Sequence, residues 1–576
     1  MARKVFISVL GAGYYGKCVY GKADKDFRST ETRFVQQATL EYLGVKEWSE
    51  DDVVYILTTE KAKKDNWNES ITTRYNNFTK QEEEYIGLEK VLKNMQLPVR
   101  VKTVDIPNGA NEEEIWQIFE KLVSDKEDQR IICEGDELYF DLTHGFRYLP
   151  MLVLVLGNYA KFMKRVKKRS ITYGNYEMKD ADGVAPIIDL LPLAALQDWT
   201  YAIADYLNNG YVDEMEQLAK GSLIPILSNR SNVTDETLKS DAKNMSELVG
   251  SIKKVAYERQ TCRGISVIES EGVKQLKKNI EKTNKVVVKA FRPLVEKIGE
   301  SLSTFDTEPN VMNMFSAAKW CYDNHQYQSA TTFLEEGVIT YFCQRHGVNY
   351  LNEDLRNMVT YAFTIKKFSI GEDKWNVTFE KGLLLRRLLN DPLMSDMQLV
   401  NSFQDFFSSV RNDYNHCGIR SKNQPLQPAK LIKKIGEYIE LISKILADAS
   451  PLVTDKKPLL VNLSNHPLAT WSLEQREAAK EYGEIIDMAF PQIEPDASEN
   501  DMCNIVDEYM KAIKSQMDYY EMTFHLMGEM TFTYKMVVKL KELGLRCVAS
   551  TTERNTVITS DGKKISDFCF VKFREY

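Results

Sequence analysis

Arg411-Asn412-Asp413-Tyr414-Asn415-His416 sets a guanidinium and an imidazole five positions apart at the end of an apolar-striped segment. An imidazole titrates near neutral pH, so it can take and return a proton. A guanidinium keeps its charge and can neutralise negative charge that develops on a phosphate. Asn412 and His416, four apart, share one face of a helix, and Arg411 is rotated away from them but long enough to converge. The other reading of the same residues is a helix-end arginine in a surface salt bridge and a histidine favoured by the helix dipole.

A second group is Asp141-Leu142-Thr143-His144-Gly145-Phe146-Arg147, where a strand gives way to a helix. Thr143, His144, Gly145 and Arg147 combine a hydroxyl, an imidazole, accessible backbone N–H groups and a fixed charge, a set able to hold phosphate oxygens. Ser8, Gly11 and Gly13 end one strand, and Thr58 and Thr59 end another. Taken singly, each could merely cap a helix or satisfy a turn. Convergence of three strand ends favours a ligand. Gly11-Ala12-Gly13-Tyr14-Tyr15-Gly16 also spells G-x-G-x-x-G, but a dinucleotide site needs a helix to open there. Lys17 to Tyr20 instead reads as extended chain, so no nicotinamide or flavin cofactor is expected.

A third group lies near the C-terminus. Ser464-Asn465-His466-Pro467, Gly528-Glu529-Met530-Thr531 and Thr551-Thr552-Glu553-Arg554 each follow a strand. The candidates there are Ser464, Asn465, His466, Gly528, Glu529, Thr531, Thr552 and Arg554, converging on one rim as a phosphate-ligand pocket requires.

The elements that must carry these groups fall into three regions. Residues 1–195 alternate strands (Val5 to Leu10, Val53 to Thr58, Val99 to Val104, Leu138 to Leu142, Ser170 to Tyr176) with helices (Thr32 to Leu43, Glu113 to Val123, Phe146 to Phe162), which implies a mainly parallel sheet with helices on both faces. Residues 196–450 read as long amphipathic helices. Leu399, Phe403, Phe406, Phe407, Val410 and Tyr414 fall on one face, and Gly418 is placed to stop that helix. Ala449 to Pro458 reads as a linker. Residues 459–576 return to strands (Leu459 to Leu463, Thr523 to Met527, Cys547 to Thr551, Asp567 to Phe573), with Ser472 and Gln475 as a capping box. The fold class is therefore α/β, then all-α, then α/β.

Bulk properties bound the function. A length of 576 residues suits two to four domains, and 43% hydrophobic with 27% charged residues suits large cores. A net charge of -8 argues against a polyanion-coating surface, so nucleic acid would meet a local cleft. No run reaches the roughly 18 to 20 apolar residues of a membrane span; Leu149 to Gly157 reads as a buried core helix, and the opening residues as a strand rather than a signal peptide. Nine scattered cysteines without a CxxC pair suit free thiols in a reducing compartment and exclude a standard zinc knuckle, so a cytoplasmic location and no metal are expected.

Val5 to Tyr15, the stretch from Leu57-Thr58-Thr59 to Asn66-Trp67, and Asp141 to Met151 resemble the CARF domains of type III CRISPR-associated proteins. The resemblance covers about the first 195 residues. It implies a Rossmann-like dimer that binds cyclic oligoadenylate across its two-fold axis, with the four-membered ring favoured. The R-x4-H helix in its all-helical setting looks like the HEPN ribonucleases. That implies metal-independent cleavage of single-stranded RNA: the 2′-hydroxyl attacks the neighbouring phosphate, His416 moves protons, Arg411 neutralises the phosphorane, Asn412 or Asn415 orients a group, and two copies of the helix meet in a homodimer. Residues 459–576 are similar, at the strand-Ser-Asn-His-Pro opening, to small CRISPR-associated ring nucleases. A second sensor or an inactive dimerisation module stands equal to that reading. Three functions are weighed: a ligand-activated ribonuclease, which needs Arg411 and His416; a non-catalytic sensor, which does not; and a nucleotide-cofactor oxidoreductase.

Overall fold

The computed structural model describes the chain apart from residues 1, 23–25, 77–78, 146–147, 228–235, 287–290, 420–423, 453–455 and 559–563. It divides into two compact units, Met1–Ile203 with Lys289–Phe291, and Ala204–Val288 with Arg292–Tyr576.

In the first unit β1 (Lys4–Leu10), β2 (Val19–Lys22), β3 (Phe27–Arg28), β4 (Val53–Thr58), β5 (Thr73–Asn76), β6 (Gln81–Glu84), β7 (Arg100–Asp105), β8 (Glu137–Asp141), β9 (Lys167–Gly174) and β10 (Val184–Asp189) follow one another. Eight of them form one sheet in the order β3-β2-β10-β9-β8-β1-β4-β7, while β5 and β6 make a separate hairpin. The run β9-β8-β1-β4-β7 is parallel throughout. The central strand β1 alternates its side chains between two cores. Val5, Ile7 and Val9 pack with Ile118, Phe119, Leu152 and Leu156, and Phe6 and Leu10 pack with Leu40, Leu88 and Leu92. Both faces are thus covered, as a parallel sheet requires. The helix expected over Phe146 to Phe162 spans Leu149–Lys164, and it is not wholly buried: Met151, Val155, Tyr159 and Phe162 form an exposed stripe.

The second unit begins with helices, among them Glu236–Gln260, Asn313–Asp323, Tyr327–Arg345, Glu353–Phe368, Phe379–Leu389 and Pro428–Ala447. A five-stranded sheet follows, built from β11 (Lys457–Ser464), β12 (Glu484–Asp487), β13 (Tyr520–Met527), β14 (Arg546–Ile558) and β15 (Lys564–Glu575) in the order β12-β11-β13-β14-β15. All its pairings are parallel except β14 with β15. Helix and sheet share a core: Leu383 packs among Leu459, Val461, Met522 and Phe524, Tyr520 Oη donates to the Leu383 carbonyl at 3.3 Å, and the Arg387 guanidinium lies 3.4 Å from the Tyr519 ring centroid. The segment read as a linker is in part tied down, since Arg345 Nη1 donates to the Ser450 carbonyl at 2.7 Å; residues 453–455 of it lie outside the described residues. Ser472 caps its helix by accepting from Gln475 N at 3.2 Å. Gln475 does not close the box, because its side chain donates to Ser550 instead. Among the described residues no helix is long and apolar enough to cross a membrane.

One buried charge cluster makes the helical region acid-sensitive. Asp391 accepts from Arg345 Nε at 2.8 Å, His346 Nε2 at 2.9 Å and Leu393 N at 2.9 Å. Burial alone would raise the Asp391 carboxyl, but the His346 and Arg345 hydrogen bonds outweigh it and hold the pKa at about 2. A depressed carboxylate stabilises the fold above its unfolded pKa of about 4, and that contribution disappears as pH falls through 2. Asp391→Asn is expected to lower stability by about 2 kcal/mol at pH 7. The gap to the unmodified chain should close between about pH 4 and pH 2 in denaturant titrations.

Candidate functional site

Three groups of residues come together at element ends. The first is the R-x4-H helix. Asp396 caps its start by accepting from Gln398 N at 2.8 Å and Leu399 N at 3.3 Å. Leu399, Phe403, Phe406 and Val410 are fully buried, while Phe407 and Tyr414 are only half-buried. The cause is a change of winding: Met397–Asp405 is α-helical, Phe406–Arg411 is a π-turn, and Asn412–Asn415 returns to α. The wider turn offsets the apolar stripe and delivers Arg411 at the junction, a place where π-bulges recur at functional sites.

Arg411 Nε donates to Glu335 Oε2 at 2.7 Å, and Nη1 donates to Asn412 Oδ1 at 2.9 Å. Its guanidinium carbon lies 4.9 Å from the Phe407 ring centroid. Glu335 comes from the buried side of Tyr327–Arg345; burial pushes its carboxyl pKa up, and Arg411 opposes that shift. The ion pair is therefore an anchor to the core rather than the surface bridge of the alternative reading. Among the described residues nothing bonds Arg411 Nη2. His416 ends the helix and is exposed. Its N–H donates to the Asn412 carbonyl at 3.1 Å, and Gly418 N closes the end on the Asp413 carbonyl at 2.8 Å, with Cys417 and Gly418 at positive φ. Phe342 and His346 are in the core, so His346 is structural.

The second group is at the carboxyl ends of β1, β4 and β8, neighbours in the sheet. Several hydroxyls expected to face a ligand are scaffold instead. Ser8 is fully buried and donates to Asp141 Oδ2 at 2.7 Å. Thr143 Oγ1 donates to Asp141 Oδ1 at 2.6 Å and accepts from Gly174 N at 2.8 Å. Thr58 donates to Asp105 at 3.2 Å, and Thr59 caps a short helical turn by accepting from Ala62 N. Parallel register sets Ser8 opposite Asp141, which fixes the first pair. Gly11, Gly13, His144 and Gly145 remain at the edge. The His144 ring stacks on Tyr15, centroids 4.1 Å apart, burial pushes its pKa down to about 4, and among the described residues its buried Nε2 has no partner. Arg147 lies outside the described residues.

The loop Gly11 to Gly16 leads into β2, not into a helix. Asn66 Nδ2 donates to the carbonyls of Gly11 at 2.7 Å and Gly13 at 2.8 Å. Arg74, on the β5–β6 hairpin, donates to those of Gly13 and Ala12, both at 2.8 Å. The same guanidinium bonds Asn66 Oδ1 and lies over Tyr14 and Tyr85. With the carbonyls held inward, Asn66 and Arg74 set the loop's shape. Asn66 entered only through the resemblance of the Leu57 to Trp67 stretch, and Arg74 carried no sequence signal.

The third group is in the C-terminal sheet. Ser464 donates to Asn462 Oδ1 at 2.7 Å and accepts from His466 N at 3.2 Å. Asn465 N bonds the Met527 carbonyl at 3.1 Å, which brings the ends of β11 and β13, and so Gly528, together. The His466 side chain is exposed. Glu529 is spent as a helix cap: it accepts from Thr531 N at 3.0 Å and Phe532 N at 2.7 Å, and those bonds lower its pKa. Thr552 and Arg554 sit where β14 pairs with β15 alone, past the β13–β14 pairing that ends at Val548. The expected rim therefore gathers Ser464, Asn465, His466 and Gly528 around buried Asn462 and His525, which the sequence reading missed.

Comparison with known proteins bears on the two ends of the chain. Residues 5–177 match the family described as CRISPR system endoribonuclease Csx1, CARF domain. Residues 458–574 match the uncharacterized protein MJ1673 family. The CRISPR-associated protein MJ1674 of Methanocaldococcus jannaschii is 24% identical over 496 residues, 80% of this chain and 69% of that protein. Among solved structures, Enterococcus italicus Csm6 bound to cyclic hexa-2′-fluoro-hexa-dAMP aligns with 77% of this chain and 94% of its own, at 11% identity and a TM-score of 0.36. The N-terminal region is thus similar to a CARF domain, and most of the chain is similar to a CRISPR-associated protein.

Proposed function

We propose that this chain is a cyclic-oligoadenylate-activated, metal-independent endonuclease of single-stranded RNA in type III CRISPR defence. The observation that carries the proposal is the anchoring of Arg411 by buried Glu335 and by Asn412, with exposed His416 one turn on, in a chain whose N-terminal region is similar to a CARF domain. The held guanidinium keeps Nη2 for a phosphate oxygen. The imidazole, in solvent, exchanges protons with the attacking 2′-hydroxyl and the departing 5′-oxygen. DNA lacks that hydroxyl and should resist. The ring, tetra-adenylate by preference, would lie on the Gly11–Gly13 loop, His144, Gly145 and Arg147. The C-terminal rim around His466 is the candidate place for degrading the ring.

A homodimer is part of the proposal, since one phosphodiester is gripped by two helix ends. The exposed stripe Met151, Val155, Tyr159 and Phe162, continued by Trp116 through Phe119 (5.8 Å and 5.3 Å between ring centroids), is the kind of apolar patch that oligomers cover. Tyr159→Glu with Phe162→Glu is expected to halve the mass seen by light scattering; an unchanged mass would place the contact elsewhere.

Glu335 acts through Arg411, as a positioning residue. Glu335→Gln keeps an oxygen acceptor but loses the counter-charge, so kcat for RNA should fall about tenfold while KM and the melting temperature hold. A fall in melting temperature with kcat intact would make Glu335 purely structural. The whole reading is tested with fluorescent RNA in EDTA: cutting should appear on adding a cyclic oligoadenylate and be absent without it. A ring that binds and stabilises the protein while no RNA is cut would favour the non-catalytic sensor.

A further inference from the structure

Three side chains in the C-terminal sheet form a proton relay that the ribonuclease reading does not use. Asn462 on β11 and His525 on β13 are direct cross-strand partners, and Ser550 lies two residues beyond the β14 partner of His525. The period-two alternation of strands puts all three on the face that carries Leu460 and Val548, under Trp471 and Leu473–Ala479. Ser550 Oγ lies 2.8 Å from His525 Nε2, and His525 Nδ1 lies 2.8 Å from Asn462 Oδ1.

The hydrogen bonds set the direction of the relay. Asn462 Nδ2 donates to Asp487 Oδ1 at 2.7 Å and to the His466 carbonyl at 2.9 Å, so Asn462 Oδ1 is an acceptor. His525 must then carry its proton on Nδ1 and present a lone pair on Nε2, toward the Ser550 hydroxyl. His525 is 1% exposed, held edge-on to Trp471 and Phe573, and burial followed by the charge of His466 pushes its pKa down to about 4. It is therefore neutral, and its lone pair is available, throughout the neutral range. Ser550 is half-buried, the least enclosed of the three. Gln475 Nε2, 3.0 Å from Ser550 Oγ, is a neutral donor at the same point.

We propose that Ser550, His525 and Asn462 form a serine-nucleophile centre that takes acyl groups from uncharged carboxylic esters. A hydroxyl is a weak nucleophile until an oriented base removes its proton, and base and orienting amide are both in place. Among the described residues neither Ser550 nor His525 is bonded to a lysine or arginine. A neutral donor such as Gln475 suits the single negative charge of an ester's tetrahedral intermediate. In the forward step Ser550 Oγ bonds to the carbonyl carbon and its proton passes to His525 Nε2. Collapse breaks the ester C–O bond, and the departing alcohol takes the proton from Nε2. Water then attacks the acyl-serine by the same route, releasing the carboxylic acid and restoring Ser550.

The test uses the full chain, a fluorescent fluorophosphonate and p-nitrophenyl acetate. Ser550 attacks phosphorus, fluoride leaves and the proton goes to His525, so peptide mass spectrometry should find the adduct on Ser550. Labelling should be about 100-fold faster than in the urea-unfolded chain. Ser550→Ala should abolish both the label and nitrophenol release with the melting temperature held, and leave RNA cutting intact. His525→Gln should slow labelling by a similar factor; if it unfolds the domain, labelling of the unaltered chain should still fall away as pH drops through about 4, where His525 Nε2 takes a proton, and a rate that does not change across that range overturns the proposal. Absence of an adduct on Ser550 in the folded chain overturns the proposal, and so does an adduct that forms equally fast in urea.

Discussion

Arg411→Ala and His416→Ala should each lower RNA cutting by about 1,000-fold, with ring affinity held in both, the melting temperature held in His416→Ala and lowered by a few degrees in Arg411→Ala. Among the described residues the Arg411 side chain bonds Glu335 and Asn412 and lies over the Phe407 ring, and His416 is exposed, so neither truncation empties a core position. The Arg411 substitution leaves Glu335 buried and without its ion pair, which costs about 1–3 kcal/mol; that carboxyl's pKa is already raised by burial, so protonation relieves part of it. The two losses should not multiply. Groups that act as one unit on one phosphate are non-additive, and the double variant should be about as slow as either single one. Retained activity in His416→Ala would remove the imidazole from the chemistry; full activity in both would remove the helix end altogether.

Asn66→Ala should have the second largest effect, on the sensing end. Asn66 is fully buried and satisfies four partners at once: the Gly11 and Gly13 carbonyls, the Tyr85 hydroxyl at 2.7 Å and the Arg74 guanidinium. Truncation removes one partner each from two part-buried carbonyls and from the Tyr85 hydroxyl, a loss of about 3 kcal/mol in all. For a unit of this size that is about 6–12 °C in melting temperature. The loop Gly11–Gly16 would lose its shape with it, so half-maximal activation should need at least about tenfold more ring. If the loop has no part in ring binding, the protein would melt earlier and the ring dependence would not move.

The sequence made visible what depends on local pattern. β1 and β4 are evident because strands covered on both faces give unbroken apolar runs, while β7, β8 and β9 show only as short segments with apolar and β-branched residues among polar ones. β12 is a short edge strand with Glu484 and Asp487 exposed at its ends, and β10 contains Pro186 and follows a polar turn, so neither rises above its surroundings. The winding change at Phe406–Arg411 was invisible because a periodic reading assumes 3.6 residues per turn throughout. Contacts between distant residues were also hidden. Glu335 and Arg411 are 76 positions apart, and nothing in either neighbourhood announces the pair. The same holds for Asn66 against the glycine loop and for His525 between Asn462 and Ser550. Ser8, Thr58, Thr59 and Glu529 share one feature that sequence does not show: they are small or polar groups at element ends, and the fold bonds such groups to its own N–H and carboxylate partners.

The ribonuclease account is most directly tested by the chemistry of the cut end. RNA digested by the ring-activated protein in excess EDTA, then analysed by mass spectrometry, should carry 2′,3′-cyclic phosphate on the upstream fragment and a 5′-hydroxyl on the downstream one, with both products gone in His416→Ala. A 3′-hydroxyl beside a 5′-phosphate, or cutting that stops on chelation, would mean that an activated water and not the neighbouring 2′-hydroxyl attacks the phosphate, and Arg411 and His416 would not be the centre of the reaction.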